Sequence, residues 1–220
     1  MLSFSEGENE RSRVMEPTLE NDRSRVKYNG DMTPEETTER ILSAAEELYY
    51  RKGYAAVGMD ELRSAAGVSL RRLYSQFPSK DDIISAVLAR KHEEWESAVT
   101  KQVAAAGPEP RARLLAVYDF LEGWFCTGNF RGCAFINAFG ELGGTNPEVA
   151  RLVKDHKESF QRYMAGLARD LGASEALGAQ LAILAEGAQS TAAISGDSAA
   201  AVQARAAAEV LIDAALRPAA

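Results

Sequence analysis

The chain has only two cysteines, Cys126 and Cys133, and two histidines, His92 and His156, in 220 residues. Two thiols cannot make a disulfide framework for a protein of this size. Neither histidine has a second ligand three or four residues away, so no zinc-type spacing is present, and His92-Glu93-Glu94-Trp95-Glu96 lacks the second histidine of a metalloprotease helix. No uninterrupted apolar run approaches the roughly 18–20 residues of a membrane span. The first fifteen residues have neither an apolar core nor a small-residue cleavage site, so no secretory signal is read there. Stretches that alternate apolar and polar positions with β-branched residues are missing as well, which argues against strands. Gly143-Gly144 follows no strand and has no lysine beside it, so a phosphate-cradling loop is unsupported. No Ser-His-Asp set stands out. These absences leave an enzyme, a metal site or a bound cofactor without support, and they place the expected protein in the cytoplasm with both thiols reduced.

What is present is an ordinary globular composition, 46% hydrophobic and 26% charged, with a net charge of −7. That length and apolar content suffice for a buried core. The acidic balance argues against a protein that coats nucleic acid indiscriminately, yet phosphates respond to local charge. Between Leu62 and Lys80 the chain carries Arg63, Arg71, Arg72 and Lys80 and no acid.

Three segments are expected. Residues 1–32 are polar and lack helical periodicity, which reads as a disordered arm; acids outnumber Arg11, Arg13, Arg23, Arg25 and Lys27 there, against a role on DNA. Met15 and Met32 offer alternative start points. Residues 33–80 read as a helix-turn-helix domain and residues 81–220 as a ligand-binding and dimerisation domain. From Thr33 onward the spacing predicts an all-α chain of nine helices. Thr33, Pro34 and Glu36 form a capping box with proline at the first helical position. Ile41, Ala44, Ala45, Leu48 and Tyr49 then make one apolar face, and Gly53 is expected to end the helix in a left-handed cap.

Met59 to Lys80, MDELRSAAGVSLRRLYSQFPSK, carries the chemistry. Gly67 supplies a left-handed turn between two short helices and Val68 plugs the angle, the arrangement of a helix-turn-helix whose second helix enters the major groove. Leu73 and Phe77, four apart, face inward. Ser69, Leu70, Arg71, Arg72, Tyr74, Ser75, Gln76 and Lys80 are the candidate DNA contacts. Ser69 at the helix start suits a phosphate. Arg71 or Arg72 suits guanine O6 and N7, and Gln76 suits adenine. Tyr74 and Lys80 suit backbone phosphates, which position without specifying.

The run from Ile41 to Lys80, ILSAAEELYYRKGYAAVGMDELRSAAGVSLRRLYSQFPSK, resembles the N-terminal signature of the TetR-type transcriptional regulators. The order is helix, Lys-Gly-Tyr, short helix, Ala-Gly-Val-Ser, Leu-Tyr-x-x-Phe, Pro-Ser-Lys. The chain departs from the family at Gly58, where Thr or Ser is usual, at Arg63, where Ala is usual, and at Arg71-Arg72, which replace a Gly-Thr pair. The resemblance implies a homodimer on a palindromic double-stranded operator, a small-molecule pocket among the middle helices, and repression relieved by the ligand.

The later residues agree with that expectation. Aromatics are dense between Trp95 and Met164, and an apolar pocket needs a few polar groups beside them. The candidate ligand residues are Trp95, Tyr118, Trp124, Phe125, Phe135, Asn137, Phe139, His156, Phe160, Tyr163, Glu186 and Gln189. Two alanine-rich helices from Ser174 to Leu216 are expected to form the dimer contact. The stripes assigned to it are Leu177, Leu181, Leu184, Ala188 and Thr191, and Ala204, Ala208, Leu211 and Ala215. Two other readings fit the composition: an all-α small-molecule-binding protein or enzyme without DNA affinity, and a regulator that senses redox through Cys126 and Cys133.

Overall fold

Local chemistry at the helix ends explains the order of elements in the computed structural model, which describes residues 32–217. The arm read over residues 1–32 lies, Met32 apart, outside the described residues. Among the described residues there are nine helices and no strand.

The first helix, α1 (Pro34–Lys52), starts at the Thr33–Glu36 capping box, whose two reciprocal bonds measure 3.2 and 2.9 Å. The short helix α2 (Met59–Ala66) begins at Gly58 without a side-chain cap and ends at Gly67, which is left-handed at φ 66°, ψ 33°. Then come α3 (Leu70–Gln76), capped by Ser69, and α4 (Lys80–Ala105), opened by a capping box of Ser79 and Asp82. Proline at the first turn marks α5 (Pro110–Phe125) and α7 (Pro147–Asp170). Between them lies α6 (Ala134–Leu142), and α8 (Glu175–Ser195) and α9 (Ala199–Ala215) close the chain.

Two hydrophobic cores result. The first joins Ile41, Leu48, Leu62, Val68, Leu73 and Ile84 from α1–α4 with Cys133, Phe135 and Ala138 from the start of α6, and with Val149 and Val153 from α7. The second is built from α5, the rest of α7, α8 and α9, with Val99 and Val103 of α4. At 26 residues and 1.5 Å per residue, α4 runs about 39 Å and contributes to both cores. Its Arg90 reaches back to Glu39 and Glu46 of α1 at 3.1 and 2.6 Å.

Two expectations need correction. Gly53 does end α1 at positive φ, but at φ 90°, ψ 158° it is not left-handed helical. The reason is tertiary: the Glu141 carboxylate lies over it, 2.9 Å from where a Cβ would stand. The stripes assigned to a dimer contact face largely inward. Leu177, Leu181, Ala188, Ala204 and Ala208 are buried within the protomer, Leu184 and Leu211 pack at the edge of the same core, and only Thr191 and Ala215 are exposed. A helix apolar nearly all round does not reveal by period which face its own chain covers. The outward face carries Ile183, Ile194, Val202, Val210 and Leu216 instead, between 45% and 88% exposed.

Candidate nucleic-acid interface and effector region

The turn between α2 and α3 is set by two residues. Gly67 adopts the left-handed conformation that glycine reaches without a steric penalty. Val68 is fully buried beneath it, which contributes roughly 1.5–3 kcal/mol to holding the two helices together. Leu73 and Phe77 anchor α3 from below, as its spacing predicts.

The outer face of α3 presents Leu70, Arg71, Tyr74 and Ser75, with Leu70 39% and Tyr74 46% exposed. Other candidates are engaged locally. The Ser69 oxygen accepts from the Arg72 amide at 3.2 Å. The Arg72 guanidinium is half-buried and donates to the Met32 carbonyl at 3.3 Å. Gln76 accepts from the Thr38 hydroxyl at 3.1 Å, which ties α3 to α1. Lys80 donates to the Ala55 carbonyl at 3.2 Å, and its partial burial lowers the ammonium pKa. The Ser75 hydroxyl, though exposed, donates to the Arg72 carbonyl at 2.7 Å, so the most available groups for reaching a groove are Arg71 and Tyr74, with Leu70 as an apolar contact. Arg63 is ion-paired to Asp60 of its own helix.

The second region is a continuous run of aromatic rings. Trp95 meets Phe160 edge-on at 5.0 Å, and Phe120 at 6.2 Å. Phe120 stacks on Trp124, and Phe130 packs against both Trp124 (5.1 Å) and Phe125 (4.7 Å). On the other side of Trp95, His156 lies flat on Phe135 with ring centroids 3.6 Å apart. Its Nδ1 is 2.9 Å from Nδ1 of His92, and burial, then Lys157, then His92 press its pKa down to about 3.

The twelve ligand candidates are thus divided. Trp95, Trp124, Phe125, Phe135, His156 and Phe160 join in this run of rings. Tyr118 is fully buried and donates to the Leu181 carbonyl at 2.8 Å, so its hydroxyl is already used. Glu186 pairs with Lys157 at 3.2 Å, Asn137 donates to the Arg131 carbonyl, and Gln189 is buried in α8. Phe139 does not belong with the others: it is 54% exposed on α6, because the inner face of that short helix is taken by Phe135 and Ala138. Trp95, Phe160 and Tyr163 line a half-open cleft of about 320 Å³ between α4 and α7, together with Glu96 and Ser159. A larger cleft of about 730 Å³ lies between α1, α4 and the segment 124–134, with Trp124, Tyr50, Arg90 and Arg131 on its walls.

Phe120 and Phe130 lie in the aromatic-dense stretch read from the sequence but are not among its ligand candidates; the structure places both in the ring run. Sequence reasoning missed His92 as the partner of His156, and the polar contacts of Tyr50 and Glu141 across the molecule. The aromatic density was visible; the pairings, tens of residues apart, were not. Cys126 is exposed and Cys133 buried, both free thiols, with the Lys157 ammonium 3.7 Å from the Cys133 sulfur. No group of three metal-ligating side chains occurs among the described residues, and no described helix is long and apolar enough to cross a membrane.

Residues 41–87 match the family described as bacterial regulatory proteins, tetR family. The whole fold is similar to that of a TetR-family transcriptional regulator from Streptomyces coelicolor, with 27% identity, a TM-score of 0.77, and 86% of this chain and 99% of that one covered. A TetR-type transcriptional regulator from Streptomyces avermitilis is 30% identical at a TM-score of 0.70, covering 84% of this chain and 98% of that one. Among curated proteins, the chain is similar to the HTH-type transcriptional repressor NemR of Escherichia coli, 28% identical over 61% of this chain and 65% of that protein. It is also similar to the HTH-type transcriptional activator FasR of Mycolicibacterium smegmatis, 39% identical over 38% of this chain and 39% of that protein. The match therefore spans less than two thirds of the length of either curated relative.

Proposed function

The chain belongs to the TetR family of bacterial regulatory proteins, and from that premise we propose that it is a dimeric transcriptional regulator whose α3 reads a palindromic operator and whose aromatic region takes a small-molecule effector. The observation that carries the reading is α3 itself. It is a short helix without an acid, pinned by Gly67, Val68 and Leu73, and it turns Arg71, Tyr74 and Ser75 outward. An arginine on such a helix can grip a guanine edge bidentately, and a tyrosine hydroxyl can hold a phosphate.

Residues 33–80 are the reader in this proposal, and residues 81–220 hold the effector and the dimer contact. Five of the exposed large apolar side chains, Ile183, Ile194, Val202, Val210 and Leu216, lie on or just after α8 and α9. Exposed large apolar side chains concentrated on two adjacent helices mark a protein contact. A second copy across a two-fold axis covers them, and gives the second reader that a palindrome requires. Effector action follows from α4, which begins beside α3 and reaches the aromatic rings at Trp95. Repression, the habit of the family, is the proposed sign.

The test is selection of duplexes from a random-sequence library by the purified protein, followed by gel shifts across a salt series. A palindromic consensus with half-sites about one helical turn apart is expected. Equal binding of selected and random duplexes at every salt concentration would refute the reading.

A further inference from the structure

The α5–α6 connection is tied at both ends. At one end the Phe130 ring packs on Trp124 and Phe125, in the region proposed for the effector. Immediately after it, the Arg131 amide donates to the Tyr50 hydroxyl at 2.7 Å, and that hydroxyl donates to the Gly132 carbonyl at 2.9 Å. The phenol of α1 is thus engaged through its lone pair by the peptide that joins Phe130 to Arg131, and through its proton by the carbonyl of the next residue, Gly132. Tyr54 adds a bond to the Ala134 carbonyl at 3.3 Å, and Glu141 accepts from the Ala55 amide at 2.8 Å. All four bonds run from the 131–141 segment to the end of α1 or to the loop before α2, elements that share a core with α3.

A hydrogen bond spans a narrow range of distance and angle, so a clamp of two on one oxygen transmits sub-ångström shifts of the peptide that makes it. Phe130 itself forms that peptide with Arg131. A molecule that packs between Trp124 and Phe125 displaces the Phe130 ring that lies on both, and Arg131 and Gly132 move with it.

We propose that the Tyr50 hydroxyl, held between the Arg131 amide and the Gly132 carbonyl, is a second coupling contact through which the aromatic region sets the position of the reader, in parallel with α4. The proposal rests on the regulator reading for its consequence on DNA, and on the contacts above for its mechanism. Tyr50 is a positioning residue: it touches no DNA, and it acts through α1, whose Thr38 holds Gln76 of α3. An energetic link of this kind is established by non-additivity between its two ends.

The experiment uses four full-length proteins, wild type, Phe130→Ala, Tyr50→Phe and the double variant, with Phe130→Leu as a milder replacement should Phe130→Ala not fold. Tyr50→Phe keeps the ring and removes both bonds. Affinity is measured for the duplex selected by wild type, and amide hydrogen exchange is followed over residues 50–55. With Tyr50 intact, loss of the Phe130 ring should weaken operator binding roughly tenfold, within the usual range for coupled sites. In the Tyr50→Phe background the same change should cost less than about twofold. Exchange over residues 50–55 should accelerate on loss of the ring in the first background and hardly further in the second. Equal effects of Phe130→Ala in both backgrounds would overturn the proposal, as would unchanged exchange. Should no duplex be selected, the regulator reading fails while the exchange measurement still decides the clamp.

Discussion

Acid should act on this protein first at His156. The imidazole is 4% exposed, flat against Phe135, with its Nδ1 2.9 Å from that of His92. One of the two facing nitrogens carries a hydrogen and the other accepts it, so both rings cannot be protonated in this geometry. From α4, His92 is flanked in turn by the Glu96 carboxylate at 3.5 Å; from α7, Lys157 adds a positive charge beside His156. The folded state therefore refuses a proton until about pH 3, whereas the unfolded chain accepts it near the ordinary 6.5. The sign follows: neutral His156 contributes its full share above pH 6.5, and stability is lost as the pH falls from there toward 3. At about 1.4 kcal/mol per pH unit, this one group removes roughly 3 kcal/mol between pH 7 and pH 4. The assay is urea unfolding of wild type and His156→Asn at both pH values, since the asparagine oxygen can still accept from His92 but cannot be protonated. The variant should lose about 3 kcal/mol less than wild type on acidification. Parallel losses in the two proteins would mean that His156 takes up its proton without unfolding.

Gly178→Ala should destabilise the fold by about 1–3 kcal/mol in thermal or urea melts, because its Cβ would stand 2.6 Å from the Ala165 Cα where α7 and α8 cross. Tyr49→Phe should be neutral or stabilising by up to about 1 kcal/mol, since the Tyr49 hydroxyl is buried without a hydrogen-bond partner among the described residues; a clear loss in the melt would show that the hydroxyl has one. Arg71→Ala should cost about 1–3 kcal/mol on the selected duplex and relax base preference at one position of each half-site, read by repeating the selection. Lys80→Ala should weaken all duplexes alike, and because Lys80 also holds the Ala55 carbonyl it should lower the melting temperature as well.

The helix ends were legible because caps are local chemistry. Thr33 with Glu36, and Gly67, announce themselves within four residues, and the structure uses each as its type predicts. The inward pair Leu73 and Phe77 was legible for the same reason: helical period places them on one face. Legibility fails where a partner arrives from far along the chain. Gly53 has the backbone of a residue lying under Glu141, 88 positions later, and nothing near Gly53 says so. Arg72 and Gln76 look equally outward by period, but Met32 and Thr38 of the preceding segment engage them. The faces of α8 and α9 stayed ambiguous because alanine supplies apolar character on every side, so burial within the protomer had to be seen before the outward face could be named.

The boundary expected near residue 80 cuts the chain where its sequence signature ends, but the packing does not part there. Phe135, Ala138, Val149 and Val153 complete the core beneath the reader, although they lie more than fifty residues beyond Lys80. Beyond this apolar packing, the reader is held to the rest of the protomer by two routes, the continuous helix α4 and the 131–141 segment with its bonds to Tyr50, Tyr54 and Ala55. One tie alone would act as a hinge and let the reader swing. Two ties at separate points leave few rigid-body motions, so in the proposed dimer the separation of the two readers becomes a property of the core proposed to hold the effector rather than of a flexible linker. Operator binding needs one fixed separation, because both recognition helices must enter the groove on the same face of the duplex. In the proposed mechanism a small molecule therefore need not unfold or displace the reader to release DNA. It has only to prefer an arrangement of Trp95 and Phe130 in which the two ties no longer agree on that separation, and by linkage DNA then weakens its binding by the same factor.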